Sequence, residues 1–304
     1  MNVFLYTPLL CAIALALCAD LIITRAPPRS GSATLIAAAL TVAVAADIGL
    51  VVLVAARLLD AAPLATLLAW PPETSAPIPV PVPISLIAAA ALAAAAVAGW
   101  ADWRRTRKTM QQLRTMHAHA PAGELIVLRS PTVLAHALPA SGEHPGRILV
   151  SDSMLRALEP DERRVLLAHE RSHLHHRHDR YRRLVRIAAR IHPLLRPTIS
   201  VVDYLLERWA DEDAARATGN RTLTARALAR AAVHQSAVAS HPQQPTFAAQ
   251  GVSSRMNALL GPQAPTIARL ALVLPALIAI TATLTGIAAL HELAHLYAIL
   301  RGHP

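Results

Sequence analysis

The chain of 304 residues is 54% hydrophobic but only 3% aromatic, and only 16% of its residues are charged. Soluble proteins carry about a quarter charged residues, so a mean hydropathy of +0.39 in an Ala-, Leu-, Val- and Ile-rich chain with two cysteines excludes disorder, collagen and a disulfide-rich scaffold. The formal charge of +10, from 29 basic against 19 acidic residues, points to the cytoplasmic flanks of membrane spans, and no direct nucleic acid binding is expected because no RNP motif or zinc-finger spacing is present.

Four apolar blocks are predicted to cross the bilayer, each near the requirement of about 20 residues. The first runs from about Val3 to Ile23 and lacks a basic n-region and an A-x-A exit, which predicts a retained span rather than a cleaved signal peptide. Cys11 and Cys18 lie within it, about two turns apart, as packing residues. The second block covers about Ala33 to Leu59. A Pro-rich connector, about 71–83, then runs extended on the outer side. The third block covers about Ile84 to Gly99 and the fourth about Ile267 to Leu290. Asp20 and Asp47 fall within or near the ends of the first two spans, where an ionisable residue is a functional candidate.

Arg104, Arg105, Arg107 and Lys108 follow the third span and set the orientation. The loop with Arg25 and Arg29 and the insert after Arg104 are predicted to be cytoplasmic, with both termini outside. The expected division is residues 1–103, a three-helix membrane region; 104–262, a cytoplasmic domain; and 263–304, the fourth span with a short outer tail. The fold class is an α-helical membrane protein of four transmembrane helices with an inserted α+β domain.

Within the insert, Glu124–Leu128, Thr132–Leu138 and Arg147–Val150 read as strands, with a turn at Ser141–Gly146. Pro160, followed by Asp161 and Glu162, opens a helix. A second helix covers about Val201 to Ala217 and stops at Gly219-Asn220; a third covers Leu223 to about Ala239, and Ser240–Pro245 is loop.

The helix after Pro160 carries His169-Glu170-Arg171-Ser172-His173. Residues four apart on a helix share a face, so the two imidazoles converge on one point. That pattern suits one Zn²⁺, with Glu170 as general base. On the next long helix, Glu207 is positioned to supply a third ligand and Asp211, at i+4, to hydrogen-bond a ligand imidazole. The competing reading of Glu207, Asp211, Glu212 and Asp213 is a solvated acidic face. A second match, His291-Glu292-Leu293-Ala294-His295, ends the fourth span with no acidic residue after it, and reads as a polar helix cap. His175, His176 and His178, with Arg177 and Arg180, read as a solvated basic extension of the zinc helix. Arg182, Arg183, Arg186 and Arg190 read as a surface run.

The pair HExxH and Glu207-Arg208-Trp209-Ala210-Asp211 resembles the gluzincin zinc peptidases, whose later helix carries an ExxAD-type motif. The approach Arg147–Asp152 through Leu158–Glu162 resembles theirs as well. Three spans before the insert and one after it are similar to the M56 family, the membrane antirepressor proteases of the beta-lactam-sensor type, whereas the related stress proteases place two on each side. The resemblance implies a membrane zinc endopeptidase with metal ligands His169, His173 and Glu207, catalytic Glu170 and supporting Asp211. It would cut a cytoplasmic DNA-binding repressor, and possibly itself, in signal-induced gene regulation. A membrane quality-control protease and a non-enzymatic signalling scaffold are the alternatives. The best-known M56 members add an extracellular penicillin-binding domain. This chain ends at Pro304, and its only lysine, Lys108, follows Arg105 where an S-x-x-K motif needs serine, so direct acylation by a beta-lactam is not expected.

Overall fold

The computed structural model describes residues 3–59, 80–119, 123–131, 134–140, 145–238, 245–261 and 270–300. Most of the Pro-rich connector, the 141–144 turn and the 239–244 loop lie outside them. Long apolar runs form α1 (Val3–Arg25), α2 (Pro28–Leu59), α3 (Val82–His119) and, at the other end, α10 (Val273–Leu300). Three stretches are long and apolar enough to cross a membrane: Pro28–Leu58, Val82–Lys108 and Leu270–Glu292. The chain is therefore a multi-pass membrane protein, but the expected count of four spans is corrected to three among the described residues. In the first block the described side chains form a shorter apolar helix, Tyr6–Ala19, within α1.

Small residues let these helices approach closely. Ala38, Ala39, Val42 and Ala43 of α2 are fully buried, and a Cβ placed on Gly286 of α10 would lie 3.5 Å from the Ala45 Cβ. Cys11 is buried in the same core, and both cysteines are free thiols. That core runs on without interruption into Val185 and Ala188 of α6 (His178–Ile191) and Val202, Leu205, Leu206 and Trp209 of α7 (Pro197–Thr218). The membrane helices thus support the helices that build the site.

Between α3 and α10 the three expected strands form one small sheet: β1 (Leu125–Leu128), β2 (Ala135–Leu138) and β3 (Arg147–Ser151), in the order β1-β3-β2. β3 is central, parallel to β1 and antiparallel to β2; its Ile148 and Val150 are fully buried. β2 is left as an edge beside the next helices. Ser151 ends β3 and caps the short α4 (Asp152–Ala157), its hydroxyl accepting from the Met154 N–H at 3.2 Å.

Helix α5 (Pro160–His175) starts on Pro160, and Glu162 closes its first turn by accepting from the Glu159 N–H at 3.0 Å. The Glu162 side chain is fully buried and also pairs with Arg226 and Arg230 of α8 (Arg221–Val238), each at 3.0 Å. Glu162→Ala is expected to cost about 1–2 kcal/mol of unfolding free energy through the lost turn-closing bond and its partners. Denaturant midpoints would test this, an unchanged midpoint showing that Glu162 does not anchor α5.

Gly219 ends α7 in the left-handed region at φ 66°, as its sequence predicts. Asn220 then starts α8 by accepting from the Leu223 N–H at 2.8 Å. Helix α9 (Pro245–Leu260) packs against α8 and was not apparent from the sequence.

One expectation about α5 is overturned. The helix stops at His175, Arg177 adopts φ 53° in the left-handed region, and α6 begins at His178. His175 stays exposed, but His178 is fully buried. The helix breaks at Arg177, so His178 does not continue a solvated face.

Candidate metal centre

Helix α5 brings His169 and His173 to one face, and α7 lies against it with Glu207. The His169 and His173 Nε2 atoms are 3.1 Å apart. Glu207 Oε2 lies 3.4 Å from His169 Nε2, and Oε1 lies 3.5 Å from His173 Nε2. Ligands about 2.0–2.1 Å from a tetrahedral zinc stand about 3.3 Å from one another, so the three side chains fit one such ion. They are the cluster of potential metal ligands found among the described residues. His291 and His295 belong to no such cluster there; His295 is exposed at the end of α10.

The partners of these three groups are also defined. Asp211 Oδ1 lies 3.1 Å from His169 Nδ1. On the other imidazole, His173 Nδ1 is 2.7 Å from His178 Nδ1. Glu207 accepts from Arg182 at 2.6 Å and from Arg255 at 3.1 Å. Arg255, on α9, also forms a two-pronged bond to Asp211, with both contacts at 2.7 Å. The face of α7 bearing the four acids is not solvated. Glu212 pairs with Arg221, and Asp213 accepts from the Ser172 hydroxyl at 2.6 Å and lies 2.9 Å from His176 Nε2, which fixes α7 to α5.

Burial sets the electrostatics. For His169, burial acts against the cation, but hydrogen bonds to Asp211 and Glu207 prevail and raise it to about 10. Burial, then the His169 cation, drive His173 down to about 2. Two imidazoles this close thus resist being cations together. Burial also lowers His178 to about 3, assisted by Arg182. Burial opposes ionisation of Glu207, yet the His169 hydrogen bond and the nearby cations hold it well below the usual carboxylate range. Glu170 is the exception: burial pushes it up.

Glu170 and the cluster line a cleft of about 790 Å³. Edge strand β2 runs along one wall, with His136 among its residues. Met154, Leu166 and Leu228 give it an apolar lining. Asp102, Arg105 and Thr106 of α3, with Arg182, Arg183, Arg186 and Arg190 of α6, line it as well. The arginine run is therefore not a free surface face: Arg182 holds Glu207 and Asp203, Arg186 lies 3.7 Å from Asp203, and Arg190 pairs with Asp102. Asp47 is half-buried in α2; the Asp20 side chain lies outside the described side chains.

Sequence reasoning missed Arg255 and His178. The cue to Arg255 would have been a short apolar segment before the last span, Val252 to Leu260, with one arginine on it. Five residues separate His178 from His173, which in an unbroken helix would turn it away, and no glycine marks the break.

The family model for Peptidase family M48 matches residues 101–202, about a third of the chain, from the end of the α3 span through the HExxH helix to the start of α7. No curated protein and no solved structure matches the chain. The match to M48 overturns the M56 reading. That reading rested on counting three spans before the insert, a feature that does not by itself identify a family. The M48 match together with the His169, His173 and Glu207 cluster makes this chain a zinc-dependent metallopeptidase.

Proposed function

We propose that the protein is a membrane endopeptidase of the quality-control type, cutting polypeptides presented beside the bilayer, with His169, His173 and Glu207 as zinc ligands and Glu170 as the catalytic residue. The observation that carries this reading is a set of three side chains whose nitrogen and oxygen atoms approach one another within 3.1–3.5 Å, in a cleft lined in part by the membrane helix α3. Bound there, zinc would supply a Lewis acid that polarises the scissile carbonyl and acidifies the attacking water. Glu170 takes a proton from that water as the new C–O bond forms. It returns the proton to the amine nitrogen as the C–N bond breaks. Its raised pKa, from burial, suits a group that must both accept and donate near neutral pH. Asp211 accepts from His169 Nδ1 and leaves Nε2 free as the ligand atom. The extended substrate pairs with the β2 edge.

The repressor substrate and its regulatory role came with the M56 resemblance and lose their support with it. The site-bearing segment, about 104–262, is placed on the cytoplasmic side, with the C-terminal end of α10 directed outward. Arg104, Arg105, Arg107 and Lys108 support this, as does Arg29, whose guanidinium sits 5.5 Å from the Trp209 ring centre and so ties the α1–α2 loop to the same side.

Two measurements test the proposal. Protein carrying His291→Ala and His295→Ala is expected to retain about one zinc per chain by elemental analysis, while His169→Ala with His173→Ala loses it. The opposite pattern moves the metal to the end of α10. In proteoliposomes, several unrelated membrane-tethered polypeptides should be cleaved. Cleavage of a single DNA-binding repressor alone would restore the regulatory reading.

A further inference from the structure

We propose that His178 is a positioning residue for the metal centre: its Nδ1 accepts a hydrogen bond from the His173 Nδ1–H and fixes the His173 ring with Nε2 toward the ion. The inference rests on the ligand set proposed above. His173 Nε2 faces His169 and Glu207, so its lone pair belongs to the metal and its proton must sit on Nδ1. The atom at 2.7 Å from Nδ1 is His178 Nδ1, which can then only accept. His178 is accordingly neutral, with its own proton on Nε2.

Three features show that the fold is built around this contact. First, His178 is 0% exposed and its ring meets that of His173 edge-on, with centroids 4.8 Å apart. Second, Arg177 is the one non-glycine residue with positive φ among the described residues. Such backbone is unfavourable and persists where the surroundings enforce it; here it breaks the helix and brings His178 back to the site. Third, His178 Nε2 is buried without a hydrogen-bond partner among the described residues. It sits among the rings of Trp209, Tyr181 and His176, at centroid distances of 4.9, 6.3 and 5.8 Å. An orphaned buried donor is unfavourable, a cost that a merely space-filling aromatic residue would avoid.

The two ligand imidazoles are thus oriented differently, His169 by a carboxylate and His173 by a neutral ring. The second choice adds no further negative charge to a site that already buries Glu207 and Asp211.

The test compares His178→Asn, whose side-chain oxygen takes the place of Nδ1, with His178→Phe, which keeps a ring and removes the acceptor. Zinc affinity of the full chain in detergent is measured by competition with a chromophoric chelator, and thermal unfolding is measured on metal-free protein. His178→Phe is expected to bind zinc about 10–100-fold more weakly, with His178→Asn within about threefold of the unaltered protein, and the metal-free unfolding temperatures of the two variants alike. Unchanged affinity in His178→Phe, or equal weakening in both variants, overturns the proposal. A His169→Ala protein that keeps its zinc would instead overturn the ligand set itself, so the two failures are distinguishable.

Discussion

Glu170→Gln is expected to leave about one zinc per chain while lowering peptide-bond cleavage by about 10²–10⁴-fold, the usual contribution of a general acid–base group. The side chains are nearly isosteric. Glu170 is not one of the clustered metal donors, so the amide should leave the spacing of His169, His173 and Glu207 undisturbed. What it removes is a site for the proton. An amide oxygen cannot take one from the attacking water, and the two other carboxylates beside the cluster, Glu207 and Asp211, are held ionised by His169 and Arg255. Of these three groups Glu170 is the one whose acid strength is reduced by burial. Zinc content by elemental analysis and initial rates on a membrane-tethered substrate would be read on the same preparation. Full cleavage by this variant would remove Glu170 from the mechanism. Loss of zinc would assign it a structural role instead.

The parts of the centre that rest on local spacing were legible in the sequence. His169 and His173 converge because residues four apart share a helix face, and Glu207 and Asp211 obey the same rule on α7. The strands, the Pro160 helix start and the Gly219 stop likewise carry short-range signals. What failed depended on long-range geometry or on a backbone choice without a residue signature. At 100° per residue, His178 would lie about 140° from His173 around a continuous helix; the left-handed turn at Arg177 cancels that, and arginine gives no hint of it. Arg255 reaches Asp211 across 44 residues, and neither sequence neighbourhood points to the other. The family was misread for a different reason: the zinc motif pair is shared among peptidase families and the count of spans around the insert does not single one out, whereas residues 101–202 match M48.

Arg255→Met is expected to destabilise the metal-free protein by about 3–5 kcal/mol, the cost typical of stripping a buried charge of its partner. The guanidinium is only 12% exposed and touches both carboxylates that line the cluster. Its fork spans Asp211 at 2.7 Å on both prongs while its third nitrogen reaches Glu207. Without it, Asp211, 5% exposed, keeps His169 as a partner, and Glu207 keeps His169, His173 and Arg182. The deficit is one of positive charge, so saturating zinc, carrying two, is expected to recover part of the loss. Unfolding midpoints with chelator and with excess zinc should therefore differ more for Arg255→Met than for the unaltered protein. Arg255→Lys is expected to recover little, because an ammonium group cannot bridge two carboxylates with a planar fork. A metal-free midpoint unchanged by Arg255→Met would mean that α7 and α5 hold both carboxylates by themselves. The recovery by Lys is the sharper discriminator: full rescue would reduce Arg255 to a source of charge, whereas no rescue identifies the fork geometry as what aligns Asp211 with His169.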